Sequence, residues 1–170
     1  MLTPGPDYAS VCRAFQWRIP EYYNIGVDIC ERHAADPDRL ALIYESAEGD
    51  VRRYTFRQIS RLSNRLANAL AAQGIARGDR VGILLPQRPE TAIAHVAVYK
   101  IGAVAVPLFT LFGADALSYR LADSGAACVI TDAVGADKVG ALRHALPALR
   151  VMMVTDGAAS GDTVDFWASL

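Results

Sequence analysis

Apolar residues along the chain fall into two kinds of run. Val81, Ile83, Leu84 and Leu85 form a short run without polar alternation, and Ala103 to Leu108 form a second. Such runs belong to strands covered on both faces, as in parallel sheets. Between them Ala92, Ile93, Ala94, Val96, Ala97 and Val98 make a segment apolar nearly all round, the pattern of a helix packed on a sheet and covered again outside. Pro89 suits the first helical position, Glu90 adds negative charge to the first turn, and Gly102 supplies the stop near Ile101. The stretch from Gly78 to Leu108 therefore predicts a right-handed β-α-β crossover.

The flanking segments extend this pattern. Residues 1–20, with Phe15, Trp17 and Pro20, show no clean period and predict an extended arm laid across the body; residues 21–170 form the domain proper. Asn24 to Ala35 predicts a short helix ending before Asp36-Pro37. Leu40 to Glu45 and Val51 to Tyr54, joined by a turn-like Ala47-Glu48-Gly49-Asp50, predict a β-hairpin in a sheet of its own, because a short loop joins only antiparallel neighbours. Thr55 and Gln58 have the spacing of a capping box, opening a long helix with Phe56, Ile59, Leu62, Leu66 and Leu70 on its core face and Gln73-Gly74 at its end.

After the central unit, the pattern gives a helix from Ala114 to Ser124 with Leu117 and Leu121 facing inward, a strand from Ala126 to Ile130, a helix carrying Val139, Leu142 and Leu146 that Pro147 stops, and a strand from Val151 to Val154. Thr155-Asp156-Gly157 turns away, and VDFWASL reads as a helix of two turns. The sum is an α/β protein: a doubly wound, mainly parallel sheet with flanking helices plus an N-terminal β-hairpin, stopping in mid-architecture.

Composition removes several function classes. Seventeen Lys and Arg residues balance 18 Asp and Glu residues in a chain of 170, so no strong field draws nucleic acid or anionic lipid. The longest charge-free run, Ile101 to Ala114, is too short to span a membrane. The start lacks a basic head followed by an apolar core, which points to a cytoplasmic address. Cys12, Cys30 and Cys128 are widely spaced, without metal-ligand spacing. No metal site follows from them, and Cys128 reads as a buried thiol.

In an open parallel sheet, ligands lie beyond the carboxyl ends of the strands, which directs attention to residues 86–89, 109–113, 131–135 and 155–157. No G-x-G-x-x-G, G-x-x-x-x-G-K-[ST] or G-x-S-x-G occurs. His95 reads as a hydrogen-bonded structural histidine or a catalytic one; His33 and His144 read as surface residues. Thr131-Asp132 suits a ribose or metal contact, or a cap on the next turn; Arg88 suits an anion, or solvent. Arg52, Arg53, Arg57, Arg61 and Arg65 form a solvated face or a phosphate surface. No pair of carboxylates stands out for acid and base roles. No residue is assigned a catalytic role, and the residues alone give a fold without a reaction.

A resemblance adds what spacing cannot. GDRVGILLPQRPETAIAHVAVYKIGAVAVPL resembles the early signature of the AMP-forming acyl-CoA synthetases, a branch of the adenylate-forming enzymes. RRYTFRQISRLSNRLANALAAQGI is similar to that family's preceding helix, PLFTLFGADALSYRLADSGAACVITD to its next segment, and FQWRIPEYYNIGVDICERHA to the subgroup acting on medium-chain or aromatic acids. The resemblance implies a parent enzyme that activates a carboxylic acid with Mg-ATP to an acyl-adenylate and passes the acyl group to CoA, with a small C-terminal domain absent from this sequence. The family's phosphate loop, acidic ATP motifs and catalytic lysine lie beyond position 170, so the isolated chain is expected to be inactive. The resemblance also implies that Phe109, Thr110 and Leu111 lie near the nucleotide of CoA and that Lys138 meets its phosphates. Thr110 and Leu111 stand where some relatives have glycines, which bears on close backbone approach. The acid, ATP and CoA are the partners implied, and assembly with further copies is left open. The rival reading is a stand-alone, non-catalytic α/β module that binds a ligand or a protein partner.

Overall fold

The computed structural model describes residues 4–156 and 162–170. An antiparallel hairpin of β1 (Leu40–Glu45) and β2 (Val51–Thr55) forms one sheet. The other has five parallel strands: β3 (Arg80–Leu84), β4 (Val104–Pro107), β5 (Cys128–Thr131), β6 (Val151–Val154) and β7 (Thr163–Asp165), in the order β4-β3-β5-β6-β7. The chain steps from β3 to β4 on one side, then crosses back to lay β5 on the other side of β3. That reversal makes the sheet doubly wound.

Two layers of helix cover the sheet. On one face α3 (Phe56–Ala72) and α4 (Pro89–Lys100) bury Ile59, Leu66, Leu70, Ile93 and Val98 in a cluster with Val81, Ile83, Ile130 and Met153. On the other, α5 (Ala114–Ser124) and α6 (Ala133–Ala141) bring Leu117, Leu121 and Val139 against Leu84, Val129, Met152 and Val154. Strand alternation splits the apolar residues between the two cores, which is why β3, β5 and β6 read as unbroken hydrophobic runs.

The capping box is present as expected: Thr55 accepts from the Gln58 backbone N–H, and the Gln58 side chain accepts from the Thr55 N–H at 2.8 Å. A cap of this kind is worth about 1 kcal/mol. Gly125 at φ 59° closes α5 in the left-handed conformation.

Several expectations change. β4 is an edge strand, so the run from 103 to 108 is covered only in part: Ala105 packs on one core and Val106 on the other, while Val104 is 48% exposed. Residues 24–35 do not make one helix. α2 (Ile25–Ile29) breaks at Cys30, whose backbone leaves the helical region, and a 3-10 turn of Glu31–His33 follows. The C-terminal segment is not a helix: β7 adds to the β6 edge, Val164 pairs with Met153, Phe166 is fully buried, and residues 166–169 are turns. Seven residues do not separate a strand with two inward apolar positions from two helical turns. The arm contains a helix, α1 (Tyr8–Ala14), started by Asp7, whose carboxylate accepts from the Ser10 N–H at 2.7 Å. Among its described residues it does not bury itself on the body: α1 has no buried residue, and Phe15, Trp17 and Ile19 are exposed. Gly157, in the expected turn after β6, lies outside the described residues.

A polar knot joins α2, α3 and α4. The Lys100 ammonium, with 9% of its side chain exposed, pairs with Glu31 at 2.7 Å and donates to Asn64 Oδ1 at 2.7 Å and the Ser60 carbonyl at 3.1 Å. The Asn24 amide donates to the Lys100 carbonyl at 2.9 Å. Gly26 permits the close approach: a Cβ there would meet Lys100 Cγ at 2.6 Å. The hydrogen bond from Lys100 holds the Glu31 carboxyl below its ordinary value. Glu31 therefore adds stability above its unfolded pKa near 4.5, and that stability is lost as pH falls through the lower folded value. Lys100→Met should cost about 1–2 kcal/mol at pH 7 by urea unfolding, below the range for a fully buried pair because Glu31 is part exposed. The difference from the unsubstituted chain should shrink on acidification below about pH 4.5. An equal difference at pH 7 and pH 3 would contradict this account.

Candidate functional site

The carboxyl ends of the five parallel strands form one rim, and the reversal between β3 and β5 opens it at its centre. There the fully buried Thr131 donates its hydroxyl to the Leu84 carbonyl at 2.9 Å, joining the ends of β5 and β3. Asp132 caps α6, its carboxylate accepting from the Gly135 N–H at 2.8 Å. Of the two readings of Thr131-Asp132, the structure shows the cap and the strand tie. Asp156, after β6, accepts from the Ala133 N–H at 2.7 Å and pairs with Arg88 at 3.5 Å. Arg88 is thus engaged by a carboxylate at the start of α4.

The residues proposed for CoA come together. Lys138, on the second turn of α6, donates from Nζ to the Thr110 carbonyl at 2.8 Å, across 28 positions of sequence. Phe109 and Leu111 on either side of Thr110 are 58% and 78% exposed. Phe109 meets Phe112 edge to face, with ring centroids 5.9 Å apart, and the Arg120 guanidinium stacks over Phe112 at 4.3 Å. The turn therefore presents an exposed aromatic ring beside a part-buried ammonium. Such a group can stack on a base and hold a phosphate. A glycine-rich approach of backbone to ligand is not its chemistry.

Other polar groups on the rim lack partners. Among the described residues, Thr155 Oγ1 and Glu90 Oε2 are buried without a hydrogen bond. An orphaned buried group marks a place where another donor or acceptor belongs. Glu90 borders a polar hollow of about 200 Å³ shared with Arg52, Arg88 and the hairpin residues Tyr44 and Ser46. A larger open cleft of about 860 Å³, bordered by Tyr22, Tyr23, Arg77 and Tyr99, lies at the far end of α4, away from the strand ends.

Two further candidates, His95 and Arg57, are engaged within the fold, as is Lys100. His95 Nδ1 lies 2.8 Å from the Thr91 carbonyl within α4 and stacks edge-on to Tyr99. Arg57 donates to the carbonyls of Ala34 and Ala35, outside the rim. Lys100 belongs to the knot beneath α4. Among the described residues no group of His, Cys, Asp and Glu is placed to hold a metal ion, and no helix is long and apolar enough to cross a membrane.

The model of the AMP-binding enzyme family matches residues 30–169. The chain belongs to that family. An acetyl-coenzyme A synthetase of Streptomyces avermitilis is 35% identical over 144 residues, covering 84% of this chain and 21% of its own length. The human mitochondrial acyl-coenzyme A synthetase ACSM3 is 34% identical over 143 residues, covering 80% of this chain and 24% of its own. Among solved structures, an acyl-CoA synthetase of Brucella canis superposes with a TM-score of 0.81 at 28% identity over 96% of this chain and 30% of its own. The anthranilate CoA ligase AuaEII, in complex with anthranoyl-AMP, gives 0.74 at 30% identity over 89% and 27%. The chain spans about a fifth of the length of the curated relatives it matches. As an AMP-binding family chain, it carries the doubly wound sheet and hairpin that the early signature implies.

Sequence reasoning missed the Arg88–Asp156 pair, made by residues remote in sequence, and the stacking of Arg120 on Phe112, which depends on how the turn after β4 meets α5. A local signal existed for Asp132, an Asp directly before a helix.

The cysteines separate by burial. Desolvation pushes the Cys128 thiol up to about 12 and raises that of Cys30, whereas Cys12 is exposed. A thiol held protonated and shielded is a poor nucleophile. In the folded chain a disulfide reagent should titrate one thiol rapidly at pH 8 and all three only in denaturant. Rapid labelling of Cys128 in the folded state would contradict its burial.

Proposed function

We propose that this chain is the opening portion of the large N-terminal domain of an ATP-dependent acid:CoA ligase, which forms an acyl-adenylate from a carboxylic acid and Mg-ATP and then transfers the acyl group to CoA. The collinear family match across residues 30–169 carries the reading. The chain contributes no adenylating group: its two lysines, Lys100 and Lys138, are engaged in the helix knot and at the rim. By itself it should be inactive. ATP–pyrophosphate exchange with a panel of carboxylic acids should show nothing, and exchange with any of them would overturn the assignment of catalysis to residues outside this sequence.

The chain's own part in the reaction is to receive the nucleotide end of CoA. Phe109 offers a ring to the adenine, the Thr110–Leu111 backbone borders it, and Lys138 supplies positive charge to a phosphate. Support comes from the 2.8 Å bond that fixes Lys138 beside the turn and from the exposure of Phe109. An ammonium has three N–H donors, so one given to Thr110 leaves two for a ligand. A charged hydrogen bond is worth about 1.5–3 kcal/mol. In the complete enzyme Lys138→Ala should raise KM for CoA about tenfold or more with kcat little changed. An unchanged KM would remove Lys138 from the site.

The acid we propose is medium-chain or aromatic. The similarity to the anthranilate CoA ligase solved with anthranoyl-AMP supports the aromatic acid, and the likeness of residues 15–34 to the medium-chain or aromatic subgroup supports either. The acetyl-coenzyme A synthetases among the relatives support a second reading, acetate. The ratio of kcat/KM for benzoate or octanoate against acetate in the complete enzyme decides between them.

A further inference from the structure

Gly135 and Thr131 meet at the start of α6 more closely than any side chain would allow. A Cβ on Gly135 would stand 1.9 Å from Thr131 Oγ1, 3.2 Å from Thr131 Cβ and 3.1 Å from Leu84 Cδ2. The hydroxyl is not free to swing aside without loss. Thr131 is fully buried, β-branched and committed to the Leu84 carbonyl. The close contact therefore fixes how near α6 comes to the ends of β3 and β5. Three further bonds hold the same helix: the Asp132 cap on the Gly135 N–H, the Asp156 carboxylate on the Ala133 N–H, and Lys138 on the Thr110 carbonyl. The first two fasten the turn containing Gly135. The third lies three residues further on, a neighbouring place on the helix surface.

We infer that Thr131 and Gly135 are positioning residues for Lys138, seating α6 on the strand ends so that the ammonium stays on the β4 turn. This rests on the reading of Lys138 as the phosphate-binding group of that turn. Neither residue touches the ligand; both act through the seat of the helix. A larger residue at 135 would lift the first turn of α6 by the distance the clash demands, and the bond to Thr110 would lengthen or break. Removing the Thr131 hydroxyl takes away the closest obstructing atom; Leu84 Cδ2 at 3.1 Å, the far end of a flexible side chain, and the Cβ of residue 131 at 3.2 Å remain, and both need yield by only a few tenths of an ångström.

The test uses the 170-residue chain with adenosine 3′,5′-bisphosphate as the probe, binding measured by calorimetry and the α6 amides followed by hydrogen exchange. Gly135→Ala should weaken binding about as much as Lys138→Ala, on the order of tenfold. The double variant G135A/K138A should bind no more weakly than K138A alone, because both changes remove one interaction. T131A/G135A should recover binding to within about threefold of the original, with T131A alone showing whether that background folds. In G135A the Ala136 amide, which donates to the Asp132 carbonyl at 2.8 Å, should exchange faster, and adding T131A should restore it. Unchanged binding in G135A, or losses that add in G135A/K138A, would overturn the inference and assign Gly135 a packing role alone. Should K138A bind the probe as well as the original chain, the reading of the site fails. The positioning claim is then decided by exchange alone, and an Ala136 amide unchanged in G135A would overturn it.

Discussion

The structure depends on β3 being paired on both sides. It bonds β4 along one edge and β5 along the other, and it lies between two helix layers, so residues 81–84 are buried. Gly82, at its middle, is close to Leu108, Leu121 and Val129: a Cβ there would stand 3.1–3.2 Å from all three. The α5 layer comes down onto the sheet at that point because nothing projects from it. With β3 paired between β4 and β5, the crossover through α4 must leave on one face and the next through α5 must return on the other. The chain reversal at its carboxyl end follows from that geometry.

The rim inherits its character from this arrangement. At the reversal, the ends of β3 and β5 are neighbours while the segments leaving them diverge, and polar groups fill the opening. Thr131 ties the two strand ends, Asp132 and Asp156 fasten the start of α6, and Arg88 is drawn to Asp156 from the start of α4. Each of these side chains is bonded to backbone or to a neighbour on the rim. Lys138 is bonded to the Thr110 carbonyl beside the exposed Phe109, and its ammonium, like the Arg88 guanidinium, has more donors than that one contact uses. The orphaned Thr155 hydroxyl and Glu90 carboxylate oxygen belong to the same end of the molecule.

Away from the rim, stability comes from a different source. The knot around Lys100 replaces apolar contact with a charged bond network where α2, α3 and α4 converge, and Gly26 lets α2 reach it. A buried lysine is tolerated only with its donors satisfied. Glu31, Asn64 and Ser60 supply that satisfaction from two other elements.

The sequence by itself determined the element types and most of their order. Period-2 and unbroken apolar runs located β3, β5 and β6, the capping box located the start of α3, and Gly125 closed α5, because these signals are local and physical. It also carried the family likeness, through motifs spread over most of the chain. Tertiary structure alone decided the rest. Whether 104–107 is central or an edge, and whether 163–166 is strand or helix, depends on what lies alongside, which periodicity over a few residues does not encode. The meeting of Lys138 with Thr110, of Arg88 with Asp156 and of Gly135 with Thr131 depends on the sheet order. The first two join residues far apart along the chain, and the third is a distance of closest approach that exists only once α6 has been seated.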